Sequence, residues 1–86
     1  MYILAAFRSR NQTLLFANIL SSYGVKNIIV STPSAVMVAC GISVRFDYAS
    51  LTEAKDVLAR RKFDTFAGFF MVSGADRKST RLNSSH

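Results

Sequence analysis

The spacing of apolar residues constrains this 86-residue chain most, because it alternates between two periods along the first 72 positions. Two segments repeat apolar residues every three to four positions, as one face of a helix does. Four others are short apolar runs, or alternate apolar with polar residues, which is typical of β-strands. The chain therefore predicts strand, helix, strand, strand, helix, strand.

The first half of this pattern contains both start and stop signals. Residues 2–8 form an apolar run and predict a strand. Ser9 and Gln12 have the spacing of a capping box, which opens a helix. A second strand is predicted over residues 25–32, after Gly24 at a left-handed helix end. The helix between them carries its apolar stripe at Leu15, Phe16, Ile19, Leu20 and Tyr23.

The second half repeats the scheme after Pro33. Residues 34–39 could form one helical turn, and Ile42–Asp47 alternates as a third strand should. Ser50 and Glu53 form a second capping box before a helix that runs to about Arg61, and residues 66–72 predict a buried last strand. The inward stripe of this helix would be Leu51, Ala54, Val57 and Leu58.

This order predicts an α+β fold. With right-handed crossovers, the simplest arrangement of these elements is a ferredoxin-like βαββαβ sandwich. In this fold a four-stranded antiparallel sheet carries both helices on one face. A strand-swapped dimer of the same elements is the main alternative, and the sequence leaves the oligomeric state open.

The last eleven residues depart from the pattern. Residues 76–86 resemble the translation of a sequencing-library adapter, codon for codon. We therefore expect residues 1–75 to form a single domain and residues 76–86 to be an artefactual, disordered tail. The formal charge of +6 then falls to +4, because three cations and one anion lie in the tail.

Composition excludes several classes of protein. No run approaches the roughly 20 apolar residues that span a bilayer, and the N-terminal run is too short for a signal-peptide core. A modest positive charge without a clear pattern of exposed sheet aromatics makes RNA binding a weaker option. We expect a soluble, cytoplasmic protein with neither nucleic acid nor membrane as partner.

The single cysteine, Cys40, is the main candidate for chemistry. One thiol forms no internal disulfide, and structural zinc sites need paired ligands, so we predict no metal site. The only histidine, His86, lies in the predicted tail. Cys40 is therefore either a small buried hydrophobe or a reactive sulfur.

The predicted topology brings Cys40 to a cationic end of the domain. The loop over residues 33–40 crosses the end where the first helix begins and the second helix finishes. A helix amino terminus and cations both favour a thiolate. Gly41 would let the backbone approach a bound atom or adopt a positive φ. The cations that map to this end are Arg8, Arg10, Arg60, Arg61 and Lys62.

The segment from Thr32 and Pro33 through Cys40-Gly41 to Arg45-Phe46 resembles the signature of a small bacterial family of selenium/sulfur carrier proteins, formerly a domain of unknown function. The resemblance covers residues 1–72. It departs at Ser34, where a basic residue is expected, which removes an anion contact from that position.

The resemblance implies that Cys40 accepts sulfur or selenium as a persulfide or perselenide and passes it on, without a cofactor. Its partner would be a donor protein such as a cysteine desulfurase. The candidate substrate-binding residues around Cys40 are Gly41, Arg8, Arg10, Arg45 and Ser9, although a solvated outward role also fits Arg45. The alternative is a non-catalytic module that binds an anion or a protein, with an incidental cysteine.

Overall fold

A computed structural model of the chain describes residues 1–33, 41–72 and 79–81. Two helices and five strands follow in the predicted order, with one addition at the end. They are β1 (Tyr2–Phe7), α1 (Arg10–Ser22), β2 (Asn27–Ser31), β3 (Ile42–Asp47), α2 (Leu51–Arg60), β4 (Phe66–Val72) and β5 (Ser79–Arg81). A 3₁₀ turn over Tyr48–Ser50 leads from β3 into α2.

The strands form one antiparallel sheet in the order β2-β3-β1-β4-β5. Both helices pack on one face, where α1 contacts β1, β2, β3 and α2. The ferredoxin-like α+β class predicted from the sequence is therefore confirmed. The sheet has five strands rather than four, because Ser79–Arg81 pairs with β4. The interpretation of residues 76–86 as an adapter translation stays a prediction.

The core lies between the sheet and the two helices. Side chains alternate along the central strand β1, so that Ile3, Ala5 and Phe7 face the helices and are fully buried. The ring of Phe7 lies 5.1 Å from that of Phe16 on α1 and 5.4 Å from that of Phe63 (centroid to centroid). Burying one such ring contributes about 1.5–3 kcal/mol to folding. This aromatic cluster supports the end of the sheet where β1 finishes.

The stripe predicted for α1 is rotated by one position. Thr13, Phe16 and Leu20 are the buried residues, whereas Leu15 and Tyr23 leave 39% and 41% of their surface exposed. Positions 13, 16 and 20 are spaced by three and four residues, so they form one helical face with a polar member. The inward stripe predicted for α2 is confirmed, since Ala54 and Val57 are buried and its two leucines pack against the core.

The second capping box is wrong. The Ser50 side chain makes no capping hydrogen bond, and its backbone already continues from the 3₁₀ turn. Asp47 caps that turn instead, because its Oδ1 accepts a hydrogen bond from the Ala49 amide at 2.9 Å. The helical segment thus begins three residues earlier, with an aspartate rather than a serine as its cap.

Candidate functional site

The candidate site lies at the end of the sheet where β1 and β2 finish and β3 and β4 begin, which we call the Gly41 end. The opposite end, where β3 finishes, is the Asp47 end. Gly41 has φ +76°, the positive value that the sequence suggested. Its carbonyl accepts a hydrogen bond from the Thr32 amide at 2.8 Å. Cys40, like the predicted turn over residues 34–39, lies outside the described residues.

Arg8 and Ser9 leave β1 at the Gly41 end. The β1–β3 register pairs Ala6 with Ser43 as its last step, and continued by two residues it would set Arg8 opposite Gly41. The Arg8 amide donates to the Thr65 carbonyl at 2.8 Å, which ties this exit to the start of β4. The Arg8 side chain is exposed, so its charge faces solvent beside Gly41.

Ser9 is the N-cap of α1, as predicted. Its Oγ accepts a hydrogen bond from the Gln12 amide at 3.3 Å. Arg10, the first residue of the helix, is exposed. Because the amino end of a helix carries a partial positive charge, Arg8, Arg10 and the α1 terminus together favour an anion at this end. The Ser9 oxygen accepts this one bond, and its hydroxyl proton stays available to donate to an anionic ligand.

Gln12 does not complete the capping box. Its amide nitrogen donates to Asp64 Oδ1 at 2.8 Å, and its amide oxygen accepts from the Thr65 amide at 3.2 Å and hydroxyl at 2.6 Å. The sequence did not predict this bridge, because Asp64 and Thr65 lie 52 and 53 positions after Gln12, and such distant partners leave no local signal. These bonds join the turn before β4 to the start of α1, and one of them engages the Asp64 carboxylate.

A hydroxyl pair near Gly41 was also missed. Thr32 Oγ1 and Ser43 Oγ lie 2.7 Å apart on the face of the sheet away from the helices. Ser43 is fully buried, and a buried hydroxyl needs such a partner. The pair joins the two strands at the last residues of the β2–β3 ladder before Gly41. No sequence motif predicts it, because Ser43 is an ordinary strand position and Thr32 simply follows β2.

The cations of α2 divide into two groups. Arg60 Nε lies 2.8 Å from Asp56 Oδ2, and this hydrogen bond holds the pKa of the Asp56 carboxyl below its ordinary value. The Tyr23 hydroxyl donates to the same oxygen at 3.1 Å. Arg60 is therefore engaged with an acid one helical turn away. Arg61 and Lys62 are exposed beyond the helix end.

Arg45 lies apart from the other candidates. It is four residues along β3 from Gly41, about 13 Å at strand spacing. Its guanidinium carbon is 4.1 Å from the centroid of the Tyr2 ring, at the start of β1. Tyr2 pairs with Asp47, so this stack extends toward the Asp47 end. The described structure thus brings together Gly41, Arg8, Ser9 and Arg10, whereas Arg45 stacks elsewhere.

The comparison with protein families decides the family of this chain. The family described as "Putative Se/S carrier protein-like" matches residues 2–67, which is more than half of the chain. The chain belongs to this family. The match spans the Cys40-Gly41 pair, both arginines at the end of β1, and Arg45, and it stops early in β4. The resemblance inferred from the sequence is confirmed.

Other comparisons add nothing to the family match. No curated protein and no solved structure is similar enough to this chain to count as a match. Among the described residues, no helix is long and apolar enough to cross a membrane.

Proposed function

We propose that this protein is a carrier that holds a sulfur or selenium atom on Cys40, as a persulfide or perselenide, and delivers it to an acceptor in the cytoplasm. The observation that carries the proposal is the family match, which spans Cys40 and Gly41. The family name supports sulfur or selenium as cargo. The use of Cys40 and the persulfide chemistry are our inference from the residues.

The surroundings of Gly41 support this role. Cys40 directly precedes Gly41 in the chain, and Gly41 lies at the end of the sheet where β3 begins. Exposed Arg8 and Arg10 and the amino end of α1 lie at the same end. A thiolate and a persulfide are both anions, which these positive charges stabilise.

The transfer balances without an external oxidant or reductant. The Cys40 thiolate attacks the outer sulfur of a donor persulfide, and the bond between the two donor sulfurs breaks. The donor's inner sulfur leaves as a thiolate with the electron pair of that bond, while the outer sulfur keeps its proton during the transfer and then releases it to solvent, which leaves the Cys40 persulfide anion. A nucleophile on the acceptor repeats the same displacement on the Cys40 persulfide. For selenium, the transferred atom is selenium and the steps are the same.

Loading of Cys40 is the direct test. The protein is incubated with a cysteine desulfurase and either cysteine or selenocysteine, so that the donor carries a persulfide or perselenide, and its intact mass is measured. We expect the mass of one added sulfur or selenium atom on the wild type and none on Cys40→Ser. An unloaded wild type whose thiol also resists alkylation in the folded state contradicts the carrier. It would favour the anion- or protein-binding module.

The cationic end is tested by charge removal. Arg8→Gln combined with Arg10→Gln should slow alkylation and loading of Cys40 about two- to fivefold, since charge near a helix terminus contributes about 0.3–1 kcal/mol. The matched control is Lys26→Gln combined with Lys55→Gln, which removes the same charge away from the Gly41 end. Equal slowing in both variants would show that only net charge matters.

A further inference from the structure

A groove of about 700 Å³ opens at the Asp47 end of the sheet, opposite the proposed carrier site. It lies where β1 and β2 begin and β3 finishes. Its volume falls in the range of about 300–1,000 Å³ that is usual for small-molecule sites. Its principal lining residues are Tyr2, Val25, Lys26, Ile28, Arg45 and Asp47.

Arg45 is the distinctive residue of this groove. Its side chain is half-buried, and the guanidinium stacks on the Tyr2 ring at 4.1 Å. The contact places the guanidinium over the face of the ring, which attracts the cation but offers no oxygen acceptor to its five N–H donors. The stack therefore orients Arg45 and leaves its hydrogen-bonding fork for another partner.

The described residues do not supply that partner. Their one ion pair joins Arg60 to Asp56 on α2 and does not involve Arg45. Asp47 lines the groove, but it forms no ion pair with Arg45, and its Oδ1 accepts a hydrogen bond from the Ala49 amide. A half-buried cation loses hydration, and an anion that reaches its N–H edge restores the lost hydrogen bonds.

We propose that this groove binds an organic carboxylate with an apolar body. A carboxylate accepts two parallel hydrogen bonds from one arginine, and Lys26 supplies a second cation. Asp47 reduces the local charge of these three residues to +1, which suits a monoanion better than a doubly charged phosphate. Val25 and Ile28 offer an apolar wall, and Ile28 leaves 52% of its surface exposed. This site goes beyond the carrier function and does not depend on Cys40.

The carboxylate could belong to a free acid or to the carboxyl terminus of another chain. Backbone amide NMR titrations separate these sources. The probes are 3-phenylpropionate, its uncharged amide, inorganic phosphate, and one short peptide with either a free or an amidated carboxyl terminus. We expect 3-phenylpropionate or the free-ended peptide to shift the amides of Tyr2, Lys26 and Arg45 saturably, and the uncharged forms to fail.

Variants identify the binding group. Arg45→Gln should weaken binding about tenfold or more, and Arg45→Lys should weaken it less, because lysine keeps the charge without the fork. Tyr2→Phe should bind as the wild type does, since it keeps the ring. Lys55→Gln on α2 is the charge-matched control. Thermal melts confirm that each variant is folded, and Cys40→Ser should bind normally.

Four results would overturn the proposal. The first is that neither carboxylate saturates the protein below about 10 mM. The second is that phosphate or the uncharged amide binds as tightly as the acid. The third is that folded Arg45→Gln and Arg45→Lys both bind as the wild type does. Loss of binding in Cys40→Ser would likewise contradict a site at the Asp47 end.

Discussion

Replacing Gly41 with alanine tests the backbone that positions Cys40. Gly41 has φ +76°, and a Cβ built on it meets no atom of the other described residues within 4 Å. The substitution therefore adds no collision with that part of the chain, and its cost there is conformational. A non-glycine residue pays roughly 1–2 kcal/mol for a left-handed backbone. Alanine also restricts the unfolded chain, which offsets about 0.4–1 kcal/mol of this cost. We expect a net loss of about 1 kcal/mol.

Gly24 provides a matched control within the same chain. It has φ +81° and equally open space around a built Cβ. Gly24→Ala should lose a similar free energy of unfolding, measured by urea denaturation followed by circular dichroism. A loss of 1 kcal/mol lowers the melting temperature by about 4–8 °C in a domain of this size. Asparagine at either position should lose less, because its side chain tolerates the left-handed region.

The two glycines should differ in function. Gly41→Ala should also reduce the sulfur loading of Cys40, because a change in the positive φ of residue 41 moves the peptide bond that joins it to Cys40. Gly24→Ala should load normally, since it closes α1 near the Asp47 end. A Gly41→Ala protein that is as stable as the wild type, beside a destabilised Gly24→Ala, would falsify the reasoning. The backbone at residue 41 would then not be held at positive φ.

Three further predictions concern stability. Ser9→Ala should lose about 1 kcal/mol in urea unfolding because it removes the α1 cap, whereas Ser50→Ala, which removes no capping bond, should be nearly neutral. Equal losses would contradict this difference. Phe16→Ala should cost about 3–5 kcal/mol, and Leu15→Ala well under half of that in the same assay, since Leu15 is 39% exposed. The reverse order would refute the rotated stripe. The pKa of Asp56 is lowered on folding, so its contribution to stability is fully present above the ordinary aspartate pKa of 3.8 and is lost as pH falls through the lowered pKa. Asp56→Asn should slightly flatten the fall in stability toward acid pH. An unchanged profile would show that the Asp56–Arg60 pair does not contribute to stability in solution.

Much of the fold follows from local pattern. The predicted bounds of β3 and β4 agree with the structure, and α2 carries the expected inward stripe. These segments have strong hydrophobic periodicity, because each strand or helix buries one regularly spaced set of side chains against the core. The α1 stripe was less well predicted, because Leu15 and Tyr23 satisfy the hydrophobic pattern yet are exposed. Thr13 is fully buried on the inner face of α1, a position that its polarity does not predict.

The candidate site was partly predictable for the same reason. Element order alone brings Arg8, Ser9 and Gly41 to one end of the sheet, since alternating strands reverse direction. The partners of Gln12 were not predictable, because Asp64 and Thr65 meet it through tertiary packing. The roles of Gly41, Arg8, Ser9 and Arg10 beside Cys40 stay predictions.

By itself, the sequence determined the order of elements, the ferredoxin-like class and a glycine that follows the only cysteine. Each of these depends on neighbours along the chain, through periodicity, capping and backbone freedom. Only the tertiary structure decided that Gln12 bridges to the start of β4 and that Arg45 stacks on Tyr2. Such contacts join residues far apart in the chain, so they form only when the sheet register and the helix rotation are set.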